Sequence, residues 1–190
     1  MTDFTIASFN VKNLIGPDRE YYEFQVYTPE EYAWKKDWLA DQNLTMDADI
    51  IGFQEIFEEE ALTDVVEEAD ARGAALNAAS IPDKSKRYHK KAIFRKLAYR
   101  AYEDAALAFA PNAADQGVPG QRRPGVAILS RFGFEGDPEV IQDLDTPLVI
   151  PFQPLRGLDA GDSGQFVLHR LSRPVLKARV PVGNTVVTVF

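Results

Sequence analysis

Residues 4–9, Phe-Thr-Ile-Ala-Ser-Phe, alternate in polarity and predict a strand closed by Asn10. Residues 11–27, with Gly16-Pro17-Asp18, read as a loop. Thr28, Pro29 and Glu31 then make a Thr-x-x-Glu helix start with proline at the first helical position. That helix is expected to reach about Leu44, with Trp34, Trp38 and Leu39 packed inward. Residues 49–56 read as a buried strand. A second helix is expected over about 59–72, with Leu62, Val65, Val66 and Ala69 on one face and Gly73 as its stop. Its acidic first turn, Glu58 to Glu60, suits the helix dipole.

Further strands are expected at 105–110 and 125–130, joined by a Gly/Pro-rich loop. Residues 136–164, rich in Gly, Pro and Asp, predict a long surface excursion. Residues 173–180 and 185–190 predict a hairpin turning at Val182-Gly183-Asn184. The apolar ending Val-Val-Thr-Val-Phe190 predicts a chain cut in mid-sheet, with an open edge.

Composition narrows the chemistry. The chain of 190 residues fits one domain. Apolar residues at 45% and charged residues at 26% exclude a disordered chain. With no cysteine, disulfides, thiolate zinc sites and cysteine nucleophiles are excluded. Two histidines, His89 and His169, make a poor zinc set, so hard cations bound by oxygen remain. No signal peptide and no apolar run of spanning length is visible, so a soluble, cytoplasmic protein without a transmembrane segment is expected.

Charge is uneven. Residues 1–70 hold 18 acids and 4 basic residues, whereas residues 84–100 hold 8 basic residues and no acid. That basic block, with Lys90, Lys91 and Arg95 at its centre, is either an anion-binding face or the solvated side of a helix. Two positions could carry chemistry directly. Asn10 and Glu55 each end a strand, and neighbouring strands could bring them to one rim as ligands of a hard divalent ion. The alternative is a turn asparagine and a solvated glutamate.

The wider pattern favours the first alternative. Phe4 to Asn13 resembles the opening strand of the endonuclease/exonuclease/phosphatase superfamily, which includes deoxyribonuclease I. Asp49-Ile-Ile-Gly-Phe-Gln-Glu55 resembles its second signature. Gly125 to Arg131 is similar to its central strand, and Arg170-Leu-Ser-Arg-Pro-Val-Leu176 to the strand that follows. The resemblance implies an α/β sandwich of two mostly antiparallel sheets with outer helices. It implies Asn10 and Glu55 as ligands of Mg²⁺ or Mn²⁺, Gln54 as support, and Arg173 as a phosphate contact. Ser130 and Arg131 would be structural, His169 a strand or rim histidine, and His89 solvated.

The family also uses a histidine beyond the last strand, an Asp-x-Asn motif and a terminal Asp-His pair. None falls in these 190 residues, so the expectation is the N-terminal part of one such domain, prone to associate through exposed sheet. The expected function is metal-dependent phosphoester hydrolysis, nuclease-like, with nucleic acid among the substrates. A lipid or small-molecule phosphoesterase of the same family is the alternative within the class. A non-catalytic module that binds anions through 84–100 is the alternative outside it.

Overall fold

The computed structural model describes residues 3–78, 98–151 and 164–190. The elements in chain order are β1 (Ile6–Leu14), α1 (Pro29–Met46), β2 (Ile50–Ile56), α2 (Glu59–Ala78), β3 (Ala106–Ala110), β4 (Gly125–Ser130), β5 (Glu139–Pro151), β6 (Gln165–Val182) and β7 (Thr185–Val189). One sheet has the order β1-β2-β4-β3 and the other β5-β6-β7. The β1–β2 pair is parallel, because α1 carries the chain back between them. All other strand pairs are antiparallel. The expected class, α/β with two mostly antiparallel sheets and helices outside, is what the chain adopts.

The alternation of strand side chains sorts the core into two layers. Ile51, Phe53, Ala127 and Leu129 pack against Leu39, Leu62 and Val65 of the helices. Ile50, Ile128 and Ala110, pointing the other way, pack against Leu176, Ala178 and Val180 of β6. The central strand β2 is therefore covered on both faces, which accounts for its nearly continuous apolar sequence. Its start is pinned by Asp49, whose Oδ2 accepts the Thr5 backbone N–H at 2.9 Å and the Thr5 hydroxyl at 3.1 Å. Burial pushes the Asp49 carboxyl up, but the Thr5 hydrogen bonds and the Arg100 guanidinium outweigh it and hold the group below its ordinary value.

Helix α1 begins with the expected capping box: Glu31 N–H donates to Thr28 Oγ1 at 3.2 Å, and Thr28 N–H donates to Glu31 Oε2 at 2.9 Å. Its buried face runs through Tyr32, Lys35, Leu39 and Asn43. Leu39 packs inward as expected, but Trp34 and Trp38 do not, being 71% and 48% exposed. Helical spacing from Tyr32 passes them by. Arg72 of α2 ties the helices together, donating to Glu68, Asp37 and Asp41 at 2.6–2.8 Å.

Three other expectations change. Asn10 does not close the first strand, which continues past it to Leu14 through an irregularity in the ladder. Residues 139–151 are a strand, not an excursion: Val149 pairs with Val167 and Ile150 with Phe166 across the β5–β6 ladder. Those cross-strand apolar pairs outweigh the local turn residues. The strand β6 also starts earlier than expected, at Gln165, while the turn at Gly183, with φ 59°, matches. Among the described residues, no helix is long and apolar enough to cross a membrane.

Gly73 does not stop α2. It is buried within the helix, where an added Cβ would lie 1.9 Å from the Tyr99 ring. Glycine is needed here for close approach rather than for a left-handed turn. On helix propensity alone Gly73→Ala should stabilise by about 1 kcal/mol. The clash with Tyr99 should reverse that sign, for a net loss of roughly 1–3 kcal/mol, as overpacked sites show. Urea unfolding of the two proteins decides between the signs.

Candidate metal and phosphate site

The parallel register sets Asn10 opposite Gln54, so Asn10 and Glu55 lie at one rim of the four-stranded sheet. Both ladders shift there. Between Asn10 and Leu14 on β1, and between Gln54 and Ile56 on β2, residues are left out of register. The surplus residue on β2 is Glu55 itself, with φ 65°. On β1, Lys12 and Asn13 take φ 52° and 63°. Left-handed backbone at non-glycine residues costs free energy and persists only where the surroundings impose it. Here the imposed shape takes the Glu55 side chain out of the ladder.

Asn10 is exposed, and its Oδ1 accepts the Lys12 backbone N–H at 2.8 Å, closing an Asx turn. The second lone pair of that amide oxygen is free for another ligand. Gln54 bridges to β1 through Ser8, its Nε2 donating to Ser8 Oγ at 3.3 Å. Arg173 reaches in from β6, with Nη1 3.7 Å from Glu55 Oε1. At 47% and 21% exposure this pair adds little to stability, but it shows that the arginine and the carboxylate share one space.

The sequence reading missed Lys35. It is a helix residue only 9% exposed, and its ammonium donates to the Lys12 carbonyl and, at 2.9 Å, to the Tyr27 hydroxyl. It also stands 4.8 Å over the Tyr27 ring. Burial, with the charge of Lys12 added, lowers its pKa to about 8, against a smaller pull upward from Glu55. A charged helix residue is ordinarily read as solvated. The available signal was its spacing, three after Tyr32 and four before Leu39, on the buried face.

Glu58, just before the first turn of α2, is buried and paired. It is only 7% exposed, with Oε2 accepting the Gly16 N–H at 3.0 Å. Arg19 and Arg122 pair with its other oxygen. Arg131 is structural, as expected. It pairs with Asp47 at 2.7 Å and lies 3.9 Å over the Tyr102 ring. Arg170 pairs with Asp143, away from Glu55. His169 is exposed on β6, four residues before Arg173, which is about 13 Å of strand. Lys90, Lys91 and Arg95 lie outside the described residues, as does His89. Arg100, at the end of that basic block, pairs with the buried Asp49.

The donors at the rim are hard oxygens, one carboxylate and one amide. Among the described residues, no group of three or more acids or histidines gathers to hold a metal. A cage formed by the protein alone is therefore not what the rim offers. The set does fit Mg²⁺, which keeps several waters and takes one or two carboxylates plus substrate phosphate. Arg173, 3.7 Å from Glu55, and Lys35, whose pKa feels the Glu55 charge, add positive charge near it.

The burial of Lys35 has a pH signature. Between pH about 8 and the ordinary lysine range, the unfolded chain binds a proton that the folded chain has released. Stability therefore rises with pH across that window as the buried charge is relieved. In ¹³C-labelled lysine spectra of the metal-free protein, one ammonium should titrate near pH 8, and Glu55→Gln should lower it further. A Lys35 signal that titrates with the surface lysines would contradict this placement. In comparisons with known proteins, no family model matches the chain, and neither a curated protein nor a solved structure matches it.

Proposed function

We propose that the chain is a divalent-metal-dependent phosphoesterase of the deoxyribonuclease I-like kind, acting on phosphodiesters. The observation that carries this reading is the convergence of a bulged carboxylate, Glu55, a neighbouring amide, Asn10, and a guanidinium, Arg173, at one sheet rim. The order of elements adds support: strand, helix, strand, helix, two more strands of the same sheet, then a second sheet packed on the first. The resemblance of the Asn10 and Gln54-Glu55 segments to the endonuclease/exonuclease/phosphatase signatures points the same way.

In this reading Glu55 and the Asn10 Oδ1 hold Mg²⁺ or Mn²⁺. When bound, the cation polarises the phosphoryl oxygens and steadies the leaving oxygen. Arg173 binds a non-bridging phosphate oxygen in place of its long contact with Glu55. Lys35, fixed behind the Lys12 carbonyl, holds the bulge that presents Asn10 and keeps positive charge beneath the phosphate. Gln54, bonded to Ser8, keeps the ends of β1 and β2 together.

The test is hydrolysis of a panel of single-stranded and nicked DNA, RNA, a phosphoinositide and sphingomyelin, with Mg²⁺ and with EDTA. Glu55→Gln should lower the Mg²⁺-dependent rate by about 100-fold or more, as the loss of several kcal/mol of charge stabilisation implies. Arg173→Ala should raise KM more than it lowers kcat. Equal cleavage by Glu55→Gln and wild type would sink the assignment. Preference for the lipid substrates would move the substrate class and leave the site intact.

A further inference from the structure

Beyond Glu55 on the same rim lies a second feature that the phosphoesterase reading does not use. Residues 18–27 fold back on themselves: Asp18 N–H donates to the Tyr27 carbonyl at 2.8 Å. The tip is a tight turn in which Gln25 N–H donates to the Tyr22 carbonyl at 2.9 Å. Phe24 sits in this turn at φ 64° and is 92% exposed. A phenylalanine in left-handed backbone is uncommon and costs free energy. The turn is nevertheless firmly built.

Its base is a cluster of rings. Tyr21 stacks on Tyr27 at 5.4 Å, and Tyr21 and Tyr22 both meet Phe57, at 5.5 and 5.8 Å. One side is fastened to the segment before β4, where Arg122 N–H donates to the Tyr21 carbonyl at 3.0 Å. Gly120 packs so closely that a Cβ there would lie 2.7 Å from Glu20 Oε1. Two anchors place this structure near the rim. Phe57 comes two residues after Glu55, and Gly125, two residues after Arg123, pairs with Ile56.

Between the turn and residues 120–123 is a cleft of about 580 Å³. Phe24 lines it together with Gln25, Gln121, Arg123 and Glu23. An acyl chain placed here would cover the ring but make no use of the two amides, the guanidinium and the carboxylate, which are exposed beside it. A nucleobase has a face for the ring and an edge of donors and acceptors for the polar groups. The cleft is open to solvent and has room for one base.

We propose that this cleft is a nucleobase-stacking subsite, in which Phe24 takes the face of an unpaired base and Gln25, Gln121 and Arg123 meet its edge. This deepens the phosphoesterase reading and rests on it for the chemistry at Glu55. It makes the substrate a single-stranded or locally unpaired nucleic acid, bound with a base beyond the scissile phosphate. The grip is local, from one ring, two amides and one arginine.

The test measures binding apart from hydrolysis. A fluorescein-labelled single-stranded oligonucleotide is titrated in EDTA against wild type, Phe24→Ala and Phe24→Tyr, and an abasic oligonucleotide of equal length is the control. Phe24→Ala should weaken binding on the order of 10-fold, the usual loss of one stacked base. Phe24→Tyr should retain it, and the abasic strand should bind weakly and equally to all three. The ring is exposed, so folding is not at stake, and circular dichroism checks this.

Three results would overturn the subsite: no binding by wild type, equal binding by Phe24→Ala, or an equal loss on the abasic strand. Capture of wild type but not Phe24→Ala by phosphatidylcholine–phosphatidylserine vesicles, without oligonucleotide binding, would assign the ring to lipid instead. Hydrolysis by Glu55→Gln in Mg²⁺ is scored separately. Its persistence would overturn the phosphoesterase reading and leave the stacking result standing.

Discussion

Strand β2 is hydrogen-bonded on both edges and covered on both faces, so a slip of one residue would turn Ile51 and Phe53 out of the helix layer. Its register is therefore strongly determined, and the rim inherits it. Asp49 fixes where the strand starts, through Thr5 on one side and Arg131 and Arg100 on the other. Both ladders run in step as far as Gln54, and both resume at Ile56. Glu55 is the residue left over. Its left-handed backbone follows from two ladders that fit everywhere except at one position. The buried core thus presents the carboxylate, and local preference has little part in it.

The same constraint accounts for what the sequence made legible. Segments 49–56 and 125–130 are buried strands and read as apolar runs. The capping box at Thr28 and Glu31 is local chemistry and reads directly. Elements whose state depends on a partner far along the chain are harder to see. Residues 139–151 contain Asp143, Asp145 and Pro147, which signal a loop. Only the pairing of Val149 and Ile150 with Val167 and Phe166 makes them a strand. Gly73 follows the same logic. Its role is set by Tyr99, 26 positions away, and helix propensity has no access to that ring.

At the rim, the two residues nearest in kind to metal ligands, Asn10 and Glu55, were visible in the sequence, although Asn10 lies within its strand and not at its end. The basic residue that supports them was not. Lys35 has the chemistry of a surface residue and the position of a core one. Two acceptors, the Lys12 carbonyl and the Tyr27 hydroxyl, make its burial tolerable. Both belong to parts of the chain read as plain loop. The carbonyl faces the lysine only because Lys12 and Asn13 adopt left-handed backbone, which is itself a consequence of the ladder shift. Burial of the lysine and display of the asparagine are thus one structural event.

The chain carries a net charge of −8, which would seem to repel phosphate. What matters is where the acids go. Asp37, Asp41 and Glu68 are taken up by Arg72 between the helices, and Glu58 by Arg19 and Arg122. Asp47 and Asp49 are taken up by Arg131 and Arg100. Beyond a Debye length of about 8 Å, charges on the outer faces are largely screened at physiological salt. A phosphate at the rim therefore responds mainly to what stands within that distance. There the carboxylate of Glu55 faces Arg173, and the ammonium of Lys35 lies behind it within its field. In the proposed reading, the single carboxylate would anchor a cation without cancelling its charge. On the same reading, that balance, held in place by the bulge in β2, is how an acidic protein would present a site for an anion.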